Sequence, residues 1–136
     1  MRYALGAIVL LLALVAGLPF YMEHVENPAV VRELREHPDG SRARKVMLLT
    51  LPSGRALPVN YIREGETIYV AADGRWWREL RGFGGPVQLL VRGQALDGHA
   101  RAIEDDPARR SAIFDRLRPS APKLFGTLIE IELAQR

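Results

Sequence analysis

From Val46 onward the chain is a succession of short β-type runs divided by turn residues, and that spacing leaves little choice of fold. Val46-Met47-Leu48-Leu49-Thr50-Leu51 is continuous enough for a strand buried on both faces. Pro52-Ser53-Gly54 turns the chain into a run from Ala56 to Ile62. Arg63-Glu64-Gly65-Glu66 turns it again into Thr67 to Ala72. Beyond Gly82-Phe83-Gly84-Gly85-Pro86 come Val87 to Val91 and Ala95 to Ile103, joined around Gly93. Leu128-Ile129-Glu130-Ile131-Glu132-Leu133 alternates apolar and acidic residues, the pattern of a half-exposed strand. Parallel strands need long crossover connections, which these turns cannot supply. Five or six hairpin-connected strands predict a mainly β protein: a small antiparallel barrel with short flanking helices.

The helices have their own signals. Asn27-Pro28 reads as an N-cap with proline at the first helical position, and Val30, Val31 and Leu34 give that helix one apolar stripe. Pro38-Asp39-Gly40-Ser41 ends it. Asp106-Pro107 repeats the arrangement before a helix whose apolar side is Ile113, Phe114 and Leu117, and which stops before Pro119.

The first fifth of the 136 residues is compositionally separate. Tyr3 to Met22 contains no charged residue. Twenty residues at ~1.5 Å rise reach ~30 Å, the hydrocarbon thickness of a bilayer. A cleaved signal peptide is the competing reading, with Met1-Arg2 as its basic region and an end near Val15-Ala16-Gly17. The segment lacks an Ala-x-Ala site, and apolar residues continue through Leu18, Phe20 and Tyr21. The expectation is an uncleaved membrane anchor over residues 1–26, with the span at 3–22, and a barrel domain over 27–136. Arg32, Arg35 and Arg42 outnumber Arg2 and the amino terminus across that span, which favours a single-pass membrane protein with a cytoplasmic domain.

Several chemistries are excluded or unsupported. The chain has no cysteine, so disulfides and thiolate chemistry are absent. His24, His37 and His99 lack ligand spacing, and no metal site is expected. A net charge of +3, from 19 basic and 16 acidic residues intermixed, gives no support for nucleic-acid binding. Gly82-Phe83-Gly84-Gly85 lacks the strand before and helix after that a dinucleotide fingerprint requires. Asp105-Asp106 reads as a helix N-cap region, and Glu130 and Glu132 as the solvent face of an edge strand. No serine stands in a G-x-S-x-G elbow. No catalytic residue is named. Tyr61 and Tyr69 are candidate donors on the substrate side.

One constellation remains. Ile68 to Ala72 delivers the chain into Asp73-Gly74 and then into Arg75-Trp76-Trp77-Arg78-Glu79-Leu80, which has helical spacing. A strand-to-helix junction with an arginine and two flat aromatic rings suits a planar, anionic ligand. If the strand from Ala56 pairs with that from Thr67, Arg55 and Asp73 become neighbours, and Arg55 and Arg75 flank one anionic group. Adjacent helical tryptophans face different ways, so one packs into the barrel while the other covers the cleft. The plainer alternative is that both tryptophans are core, both arginines are solvated and Asp73-Gly74 is only a turn.

These residues also carry a resemblance. The order VMLLTLPSGRALPVNYIREGETIYVAAD, then RWWREL, then GPVQLLVRGQ, is similar to the deazaflavin-dependent nitroreductases, from about Lys45 to Glu104. That family belongs to a larger split β-barrel group that includes flavin-binding pyridoxamine-phosphate oxidase-like proteins. The resemblance implies a split antiparallel barrel whose Ser53, Gly54, Arg55 and Pro58 hold the phosphate-bearing tail of a cofactor. It places Ala71, Ala72, Asp73 and Gly74 beside that cofactor, with Trp76 and Trp77 bordering it. The implied cofactor is an 8-hydroxy-5-deazaflavin coenzyme, with FMN as the alternative. The implied activity is hydride transfer to a small electron-poor acceptor, a quinone or nitro compound, by a membrane-anchored oxidoreductase. Related barrels often dimerise across the cleft, which implies a homodimer. Three features depart from the family pattern: the Ser53-Gly54-Arg55 loop is short, Glu79 replaces an asparagine, and only Asp73-Gly74 precedes the arginine and tryptophans. Each removes positive charge or hydrogen-bonding capacity, which leaves a non-catalytic membrane-tethered binding or interaction module as the alternative function.

Overall fold

The computed structural model describes residues 28–119 and 125–135. The expected anchor, residues 1–26, and the Asn27 cap lie outside the described residues. Among the described residues no helix is long and apolar enough to cross a membrane.

Six strands form the body: β1 (Val46–Thr50), β2 (Ala56–Glu64), β3 (Thr67–Ala72), β4 (Gly85–Val91), β5 (Gln94–Ile103) and β6 (Thr127–Leu133). They close into a barrel in the order β1-β2-β3-β6-β5-β4, and every pairing is antiparallel. Helix α1 covers residues 28–36 and helix α2 spans Pro107–Leu117. A 3-10 helix, Arg75–Leu80, carries the chain from β3 towards β4. The hairpin turns stand where the glycines predict them, with Gly65 at φ +62° between β2 and β3 and Gly93 at φ +81° between β4 and β5.

The apolar runs lack strict alternation because helices cover part of the outer face. Met47, Leu49, Val59, Ile68, Val70, Ile129 and Ile131 point into the barrel and form its core. Leu48, between two inward residues, packs outward against Leu34 and Ala43, with Val30 and Val31 of α1 beside them. Tyr69 and Leu128 likewise turn outward and meet Ile113 and Phe114 of α2. A strand with apolar contacts on both sides reads as a continuous hydrophobic run, whichever sheet class it belongs to.

The edge-strand expectation for Glu130 and Glu132 is corrected. β6 lies between β3 and β5, paired over its length on both sides, so it presents no edge. Glu130 forms an ion pair with Arg109 of α2, and its side chain is only 14% exposed. Glu132 accepts from Thr67 Oγ1 at 3.1 Å. On the outer face of β6, α2 thus reaches Glu130 with a cation, while Glu132 stays exposed. The cap of α2 forms as predicted: the Asp106 carboxylate accepts from the Arg109 backbone N–H at 3.1 Å.

Candidate functional site

The barrel is split at one seam. β2 and β3 pair only from Tyr61↔Val70 to Glu64↔Thr67, next to their hairpin. Beyond Tyr61, β2 follows β1, pairing Ala56–Asn60 with Val46–Thr50, while β3 follows β6 to Ala72. The two strands therefore part, and a cleft of about 340 Å³ opens between them. Leu57, Pro58, Val59 and Asn60 form one wall; Ala71, Asp73, Gly74 and Trp76 form the other. Val30 of α1, Arg42, and Leu117 and Arg118 at the end of α2 also line it. Its volume falls within the range of small-molecule sites, and the unzipped strand edges beside it carry backbone polar groups without a strand partner.

Five of the sequence-predicted residues meet in this cleft: Pro58, Ala71, Asp73, Gly74 and Trp76. Ala72 alternates inward and is buried in the barrel core. Trp77 also packs on that core, beneath the Arg81 guanidinium at 4.5 Å from its ring centroid. The tryptophan pair divides much as adjacent helical positions require: both touch the core, and Trp76 alone reaches the cleft.

The positive charges are placed differently from the expectation. Arg55 and Arg75 are exposed, and neither lines the cleft that Asp73 lines. Because β2 leaves β3 at Tyr61, the register that sets Arg55 beside Asp73 never forms. Gly54 lines a separate depression with Pro52, Pro86 and Val87. The Ser53 turn, expected to cradle a phosphate, already holds an anion. Its backbone N–H and its Oγ each donate to the Glu79 carboxylate at 3.1 Å. Glu79 thus occupies both of these Ser53 donors.

Arg118 is the residue that sequence reasoning missed. Its Nη2 donates to Asp73 Oδ2 at 2.6 Å and to the Ala71 carbonyl at 3.4 Å, and its guanidinium lies over the Phe114 ring at 5.3 Å. The side chain is 16% exposed. Its only local signal is position: a cation just past the end of a helix, which reads as routine capping. Arg42 supplies a second cation, paired with Glu33 at 2.7 Å.

The two tyrosines divide as well. Tyr69 is buried beneath α2, where its hydroxyl accepts from Arg109 at 2.8 Å, so it does not face the cleft. Tyr61 packs against the barrel core and donates to the Ala43 carbonyl at 3.4 Å. Burial pushes its phenol above the ordinary value of 10.0, with Arg92 and Arg63 pulling back in part. The fold thus favours the protonated phenol, while the unfolded chain releases that proton first. The stability Tyr61 contributes is complete below pH 10.0 and declines as pH rises through the raised folded value. Urea unfolding across pH 9 to 11 is expected to show this decline, and Tyr61→Phe to remove it.

No protein-family model and no curated protein matches the chain. Solved structures do. A protein from Listeria innocua assigned by name to the pyridoxamine 5'-phosphate oxidases shares 16% identity, covering 79% of this chain and 93% of its own, with a TM-score of 0.53. The heme storage protein HutZ from Vibrio cholerae shares 16% identity over 78% of this chain and 89% of its own, with a TM-score of 0.48. An F420 reductase shares 13% identity over 69% and 90%, with a TM-score of 0.47. The barrel and its seam, with the likeness to the Listeria innocua structure, define the fold: a split antiparallel β-barrel.

Proposed function

We propose that this chain is a membrane-anchored oxidoreductase that binds a deazaflavin coenzyme, or FMN, in the cleft between β2 and β3. The carrying observation is the seam itself, a cleft with Trp76 and the enclosed guanidinium of Arg118 on its walls. Fold-level likeness to a structure named as a pyridoxamine 5'-phosphate oxidase agrees with an oxidoreductase reading. The residues present fit a ring and one anionic group at Arg118; they do not fit a phosphate at Ser53, where Glu79 sits. When bound, the cofactor supplies hydride to a quinone or nitro-type acceptor, and the protein supplies orientation and exclusion of water. Pro58, Ala71 and Trp76 wall the ring, and Arg118, with Arg42 nearby, neutralises the negative charge.

The membrane enters through the sequence and one contact. Val30, at the start of α1, lines the cleft, and only Glu23 to Asn27 separate Met22 from Pro28. A spacer that short cannot exceed about 20 Å. An anchor at residues 3–22 therefore holds the cleft near the bilayer, where a lipophilic quinone already partitions.

Titration of the full chain in detergent with FMN and with the deazaflavin, followed by fluorescence, tests the proposal. Arg118→Gln is expected to weaken binding by ~1.5–3 kcal/mol, the worth of a hydrogen bond to a charged group. Arg55→Ala and Arg75→Ala, outside the cleft, are expected to change it far less. Absence of binding to either cofactor at low salt refutes the reading. The second reading, a non-catalytic membrane-tethered binding module, is favoured by the occupied Ser53 turn. It predicts binding without oxidation of the reduced cofactor when a short-chain quinone is added.

A further inference from the structure

Three charged residues line the cleft, and they differ in how firmly they are held. Arg118 is the most enclosed, and three neighbours fix it: the Ala71 carbonyl, the Phe114 ring and, through Nη1, the Phe125 carbonyl at 3.5 Å. Its anionic partner, Asp73, is the reverse case. The Asp73 side chain is 67% exposed, and it meets Arg118 at 2.6 Å. The backbone at Gly126 comes close on its other side: a Cβ there stands 3.4 Å from Asp73 Oδ1. A guanidinium largely removed from water requires a counter-anion, whereas an exposed carboxylate exchanges its partner for water at little cost. The fixed member of this pair is the cation, and the replaceable member is the anion.

We propose that Arg118 is the receptor for the anionic group of the ligand and that Asp73 is its resident competitor. The proposal rests on the cleft being a cofactor site and adds how that site sorts ligands by charge. A phosphate-bearing ring displaces Asp73 from the Arg118 Nη atoms, and the aspartate turns to water. A ring without a charged tail leaves the pair intact. At Ser53, too, hydrogen-bond donors are held by an internal carboxylate, that of Glu79. The Asp73 carboxylate therefore lowers affinity for anionic ligands twice, by occupying the receptor and by repelling the newcomer.

The test compares FMN with riboflavin, the same ring without phosphate, by fluorescence titration of the full chain in detergent. Asp73→Asn is expected to tighten FMN about fivefold and to leave riboflavin within about twofold, the scale of a partly exposed ion pair. Arg118→Gln is expected to abolish any preference for FMN over riboflavin, while Arg118→Lys, which keeps the charge, retains part of it. A residue that only packs on Phe114 does not produce that ordering. If FMN binds and Asp73→Asn leaves it unchanged, or shifts both flavins equally, the competitor role is overturned and the cofactor site stands. If neither flavin nor the deazaflavin binds wild type or Asp73→Asn, both the site and the competitor role fail. Thermal unfolding of each variant confirms that it is folded when titrated.

Discussion

Replacing Phe114 by alanine is expected to cost about 3–5 kcal/mol of stability, the range for deleting a fully buried aromatic ring. Phe114 is 0% exposed and joins α2 to the barrel through Tyr69, Ile103 and Leu128. Arg110 lies over its ring at 4.3 Å and Arg118 at 5.3 Å, so the ring seats two cations besides filling the interface. For a domain of this size the loss corresponds to a fall of roughly 15 °C or more in Tm. Urea or thermal unfolding followed by tryptophan fluorescence measures it. The control is Phe83→Ala: that ring is 92% exposed, and its removal is expected to stay within about 0.5 kcal/mol. A loss under about 1 kcal/mol for Phe114→Ala means that α2 is not docked as described. The variant also unseats Arg118, so anion binding in the cleft is expected to weaken even where the barrel stays folded.

The second large effect is at Gly84, where alanine is expected to cost about 3 kcal/mol or more. Its backbone has φ +73°, a conformation that disfavours any Cβ, and a Cβ there stands 2.0 Å from the Ala100 carbonyl oxygen. That oxygen belongs to β5, whose Ala100 is paired with Gly85 on one side and Ile131 on the other. It cannot retreat without opening two ladders. Gly65→Ala separates the two causes, because Gly65 shares a positive φ but has nothing within 4 Å of the added atom. It is expected to cost ~1–2 kcal/mol, the conformational strain alone. Denaturant midpoints for the two variants decide it, and equal losses refute the clash.

Much of the fold was legible in the residues because the signals are local. The glycine between β2 and β3, the Asp106 cap and the apolar faces of α2 each depend on a few consecutive residues and one periodicity. The Trp76-Trp77 segment was legible as a helix, though as a single 3-10 stretch of six residues. Five of the eleven proposed site residues gathered in the cleft, three of them for a similar reason: Asp73, Gly74 and Trp76 lie close together at the end of β3. The partnerships were not legible. Ser53 and Glu79 are 26 positions apart, and Asp73 and Arg118 are 45 apart. Nothing in either segment marks its distant partner.

By itself, the sequence determined the barrel's strands, its hairpins, the helix that caps it and the aromatic end of β3. Period, turn chemistry and capping are set by neighbours along the chain and survive in any packing that buries the apolar faces. Only the tertiary structure decided where the barrel splits and which charges face the split. β2 separates from β3 at Tyr61 because its remaining residues stay paired to β1, and β3 stays paired to β6. The end of α2 then lies beside the gap and brings Arg118 to Asp73. Which cation meets which anion depends on how whole elements cross, and on the desolvation that enclosure imposes, neither of which is encoded in local spacing.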